Sequence, residues 1–93
     1  MGNSDSRINE LRKSIDEIDE KILDLINQRL LLGKEIGNIK KNNKEQVTDK
    51  AREEAILKRL KELNKGHLHD NTLDYIFTQI ISESREIQQP GNT

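Results

Sequence analysis

The chain is predicted to be all-α, with three helices per chain, one of them very long, assembled as an intertwined helical homodimer. Three observations carry that expectation. Apolar residues recur at steps of three and four through Ile8, Leu11, Ile15, Ile18, Ile22, Leu25, Leu32, Ile36 and Ile39, which is one stripe along a helix. No segment shows strand alternation and no internal repeat is present. The third is a mismatch of size. Residues 6–41 written as a helix extend about 54 Å, whereas a compact chain of 93 residues has a radius of gyration near 12 Å, roughly. The first helix is too long for its own chain to cover, so its stripe is expected to be buried on a second copy.

Composition agrees. Charged residues make up 35%, hydrophobic residues 31% and aromatics 2%, a balance usual for long amphipathic helices. A net charge of −1 gives no electrostatic support for nucleic acid or an anionic membrane as a partner. The absence of cysteine excludes disulfides and thiol chemistry. No apolar run approaches the roughly 20 residues of a membrane span, and no signal peptide is visible. Met1-Gly2 followed by Ser6 fits the loose myristoylation pattern, but no membrane-facing surface accompanies it. A cytoplasmic location is expected.

The elements follow in order within a single domain, residues 1–93. Residues 1–5 are a polar tail, and Asp5 or Ser6 is placed to cap a helix over about 6–41. Gly33 and Gly37 lie inside it, each costing about 1 kcal/mol of helix propensity. They are either simply tolerated or mark the close approach of another backbone. Residues 42–46 form a polar loop. A second helix over about 49–64 carries Ile56, Leu57, Leu60 and Leu63, and Gly66 suits a left-handed cap after it. His67-Leu68-His69 connects to a third helix over about 70–88, capped by Asp70 or Asn71 and carrying Leu73, Ile76, Phe77, Ile80, Ile81 and Ile87. Pro90-Gly91 stops it, leaving 90–93 as a tail.

The residues that interrupt these stripes are the candidates for function. The first stripe requires an apolar residue at position 29 and has Arg29. A guanidinium on a seam is costly unless an anion meets it, although a polar residue there can also fix coiled-coil register. Lys40 lies 11 residues later, close to the same face, where the helix dipole also favours a cation. Arg12 precedes Arg29 by 17 residues, about 25 Å along the helix. It is either a solvated neighbour of Leu11 or, in an antiparallel dimer, a residue that reaches the distal helix of the partner. Arg52 in the first turn of the second helix opposes the macrodipole. Asp49 and Glu53 there are explained by capping and by the same dipole, and the free N–H groups could also hold an oxygen-bearing ligand. Ser84 and Gln88 continue the stripe of Phe77 and Ile81 with a hydroxyl and an amide. His67 and His69 have no further His or Cys beside them, so no metal site is expected. No nucleophilic triad, phosphate loop or nucleotide fingerprint occurs.

Taken as an ordered set, these residues resemble the all-helical chorismate mutase family. The resemblance runs from about Leu11 to Gln89. It rests on Leu11-Arg12, Ile15-Asp16-Glu17-Ile18-Asp19, Arg29, Gly37-Asn38-Ile39-Lys40, Val47 to Glu53, Phe77 to Ser84, and Gln88. It implies the Claisen rearrangement of chorismate to prephenate, without metal or cofactor, at sites shared between two chains. It further implies that Arg29 and the partner's Arg12 grip the two substrate carboxylates, with Arg52 and Ser84 completing those contacts. Lys40 and Gln88 would face the ether oxygen, and Glu53, with the backbone near Asp49, the ring hydroxyl. Such a reaction needs a flexible dianion held in a compact geometry and positive charge where negative charge grows. Two rivals remain. A lyase on the same fold would release pyruvate from isochorismate, and a non-catalytic dimerisation module would explain the heptads but not polar residues at 29, 84 and 88.

Overall fold

A computed structural model describes residues 3–88, which form α1 (Asn3–Asn42), α2 (Lys50–Leu63) and α3 (Asp70–Gln88). Residues 1–2 and 89–93, including the stop expected at Pro90-Gly91, lie outside the described residues. Nothing in Asn3 to Asp5 breaks a helix, and α1 begins before the expected caps. Asp5 sits within its first turn, where a carboxylate suits the dipole. The 40 residues of α1 account for the long dimension of a chain measuring 63 × 28 × 18 Å, with a radius of gyration of 17.9 Å.

α3 packs against both α2 and the distal half of α1. The apolar residues buried by this packing are Ile56, Leu73 and Ile81, 4–8% exposed. The long stripe of α1 is not what packs. Ile8, Leu11, Ile15, Ile18, Ile22 and Leu25 remain 44–60% exposed in the single chain, and Leu32, Ile36 and Ile39 are exposed as well. The covered face is a second one, Ile26, Leu30, Gly33, Gly37 and Lys40, at the same steps of four and three. Arg29 lies where the two faces meet.

The joints are made by polar groups. At the end of α1, Glu45 N donates to Lys40 O at 2.7 Å and Lys44 N to Lys41 O at 3.0 Å. These are the paired bonds of a Schellman turn, and Lys44 holds its left-handed position with φ of 60°. Asp49 caps α2, its Oδ1 accepting from Arg52 N at 3.0 Å. The left-handed cap expected at Gly66 is not formed, because no described glycine has positive φ. Asn64 closes α2 instead. Its Nδ2 donates to Leu68 O at 2.7 Å and Asp70 Oδ1 at 3.1 Å, and its Oδ1 accepts from Gly66 N at 3.3 Å. The amide replaces the turn that glycine would have supplied. Asp70 is then the first residue of α3 rather than its cap. The cap position falls to His69, whose carbonyl accepts from Leu73 N at 2.9 Å.

Lys44 adopts a conformation that costs a side chain about 1 kcal/mol and glycine little. Lys44→Gly is therefore expected to stabilise the fold by about 0.5–1 kcal/mol, raising Tm by several degrees. Thermal melting at fixed protein concentration checks this, and an unchanged or lower Tm contradicts it.

Candidate active site

Where distal α1, the start of α2 and the end of α3 converge, they enclose a pocket of about 240 Å³. Seven of the eight expected residues line it: Arg29 and Lys40 from α1, Asp49, Arg52 and Glu53 from the start of α2, and Ser84 and Gln88 from α3. Arg12 does not, because it lies on the uncovered half of α1. The apolar walls are Leu32, Ile36, Val47, Ile56 and Ile81, with Gly33 and Arg85 completing the lining.

The two helix glycines set the depth of this pocket. A Cβ on Gly33 would collide with Ser84 Oγ, and one on Gly37 would stand 2.6 Å from Gln88 Cγ and 2.8 Å from Gln88 Cβ. Of the two alternatives, tolerance or close approach of another backbone, neither describes what is found: the groups that approach are two polar side chains. Ser84 is 7% exposed. Gln88 Nε2 donates to Gly33 O at 2.7 Å and lies 3.4 Å from Ser84 Oγ. A carbonyl inside α1 thus anchors the amide at the pocket.

The electrostatics are unbalanced. Burial first, and the like charge of Arg52 second, pull the Arg29 pKa below its ordinary value. Among the described residues neither Arg29 nor Arg52 forms an ion pair. Asp49 commits an oxygen to capping α2, and Glu53 pairs instead with Arg85, Nε to Oε2 at 3.4 Å. The N-terminus of α2 adds the positive end of a helix dipole. Chemically, the pocket presents cations and neutral donors to a small polyanion, with apolar walls to hold its carbon frame.

Arg85 was not among the expected residues. Its signal was present: it follows Ile81 by four positions and Ser84 by one, but a charge near the end of a helix reads as solvated.

The sequence model described as chorismate mutase type II matches residues 11–89. A chorismate mutase of Methanocaldococcus jannaschii is 37% identical over 83 residues, covering 89% of this chain and 84% of that protein. A bifunctional chorismate mutase/prephenate dehydratase of Neisseria gonorrhoeae is 37% identical over 79 residues, 85% of this chain but 21% of that protein. The chain therefore spans about a fifth of the length of that bifunctional relative. Among solved structures, chorismate mutase from Helicobacter pylori in complex with prephenate superposes with a TM-score of 0.82 at 32% identity, covering 91% of this chain and 92% of that one.

The lowered Arg29 pKa carries a stability consequence. Folding disfavours the charged form, so the charge costs stability at every pH below its folded pKa, and the cost is relieved only as pH rises past it. Arg29→Met removes the charge and keeps the length. In the absence of ligand it is expected to stabilise the fold only slightly, by under about 1 kcal/mol, because solvent screening of a partly exposed guanidinium discounts the desolvation cost. Urea unfolding at neutral pH and fixed protein concentration measures this; a destabilised variant contradicts it.

Proposed function

The chain belongs to the chorismate mutase type II family, and from that premise we propose that it rearranges chorismate to prephenate in aromatic amino acid biosynthesis. The observation that carries the reading is the pocket's pair of unneutralised guanidiniums, Arg29 and Arg52, with Lys40 and Gln88 beside them. The substrate is a dianion of matching charge. In the rearrangement an ether C–O bond breaks as a C–C bond forms within one molecule. No proton, nucleophile or electron carrier takes part. The protein's task is to select the compact conformer and to stabilise charge growing on the ether oxygen.

Arg29 and Arg52, with Ser84, hold the carboxylates, the planar guanidiniums being suited to bidentate contact. Lys40 and Gln88 meet the ether oxygen. Gly33 O fixes one side of the Gln88 amide, leaving its remaining donor capacity for the ligand. Glu53 and the backbone at Asp49 take the ring hydroxyl.

We further propose that the protein acts as a cytoplasmic homodimer with shared sites. The uncovered stripe from Ile8 to Leu25 supports this, since a row of exposed Ile and Leu on a projecting helix needs cover. An antiparallel partner helix would cover it and carry its own Arg12 to the pocket's open edge. No described helix is long and apolar enough to cross a membrane.

The decisive test is incubation with chorismate, following prephenate by absorbance or mass, with isochorismate in parallel. Prompt pyruvate from isochorismate beside inert chorismate would favour the lyase. Arg29→Ala is expected to lower kcat/KM by at least about a hundredfold while leaving a folded dimer; a change in oligomeric state alone would favour the dimerisation module. Mixing Arg12→Ala with Arg29→Ala protein is expected to restore part of the activity, because a heterodimer regains one intact site. No recovery after demonstrated subunit exchange counts against shared sites. Gln88→Glu is expected to become more active as pH falls towards about 4, since only the protonated carboxyl can donate to the ether oxygen. A flat profile removes Gln88 from that role.

A further inference from the structure

Arg85 belongs to the pocket but has no place in the roles above. We propose that it is a positioning residue, holding the Glu53 carboxylate at the pocket wall so that Glu53 neither neutralises Arg29 and Arg52 nor leaves the ring hydroxyl unmet. The proposal rests on the functional reading given above.

Glu53 stands in the first turn of α2, beside Arg52 in the chain and lining the same pocket as Arg29. A carboxylate among guanidiniums without partners is drawn to them, because charge-assisted and bidentate contacts are the strongest available. Such a contact would remove the positive charge meant for the ligand. The structure shows another arrangement. Glu53 Oε2 lies 3.4 Å from Arg85 Nε on α3, with side-chain exposures of 23% and 38%, and among the described residues neither Arg29 nor Arg52 takes the carboxylate. Arg85 is the competing cation, offered from a different helix. Its charge cancels that of Glu53, and with Asp49 engaged in the α2 cap the clamp charges stay available.

The pairing is also loose. Arg85 Nε is buried yet makes no hydrogen bond of good geometry. Glu53 is therefore steered without being saturated, and keeps acceptor capacity for a hydroxyl. That contact is remote from the bonds that break and form, so it should act equally on ground state and transition state. Its loss then appears in KM rather than kcat.

The test is a double-mutant cycle on the full chain, with kcat and KM for chorismate measured for the unaltered protein, Arg85→Leu, Arg85→Lys, Glu53→Ala and the Glu53→Ala/Arg85→Leu double variant. Arg85→Leu is expected to lower kcat/KM about tenfold, mainly through KM. Arg85→Lys is expected to recover most of the loss. In the Glu53→Ala background Arg85→Leu is expected to change kcat/KM by less than about twofold, because the group it acts through is gone. An equal loss in both backgrounds assigns Arg85 a role independent of Glu53 and overturns the proposal, as does an Arg85→Leu protein with unchanged KM. If the unaltered protein does not turn over chorismate, the functional reading fails first, and this inference with it.

Discussion

Arg29 and Arg52 face one pocket with neither paired to a carboxylate among the described residues, and much of the fold is arranged to keep them there. Each is disfavoured locally. Arg29 is partly desolvated within a stripe of Ile and Leu, and its pKa is pulled down by that burial and by its neighbour. Arg52 sits in the first turn of α2, against the macrodipole. A fold that needed only stability would carry apolar or acidic residues at these positions. In the function proposed above, the substrate dianion offsets this local cost when it meets the two guanidiniums.

The rest of the architecture delivers these groups to one place. The α1 helix is divided into a proximal half with no cover in its own chain and a distal half that meets α3 through Gly33 and Gly37. Those glycines cost helix propensity of about 1 kcal/mol each, and they let Ser84 and Gln88 reach the pocket. The Schellman turn at Lys44 and the Asp49 cap then return the chain so that the start of α2 closes the remaining side.

Much of this was legible in the residues. The three helices follow from apolar spacing, and Arg29 from the slot it spoils. Ser84 and Gln88 follow from their register with Phe77 and Ile81. Three features escaped for physical reasons. The inner face of α1 is hidden because two of its five residues, Gly33 and Gly37, are glycine, and close packing against a missing side chain leaves no hydropathy signal. The way α2 ends escaped because Asn64, where the helix is expected to stop, works through its side-chain amide, whereas Gly66 carries the more familiar turn signal. Arg85 was overlooked because its partner Glu53 is 32 positions away, and ion pairs between helices have no periodicity.

In the function proposed above, this pocket acts as a preformed clamp for a small dianion. Calorimetric titration of the unaltered protein with prephenate tests it most directly. Saturable binding of one molecule per chain is expected, weakening as ionic strength rises because the contacts are charged and only partly buried. An absence of saturable binding, or binding indifferent to salt, would contradict it.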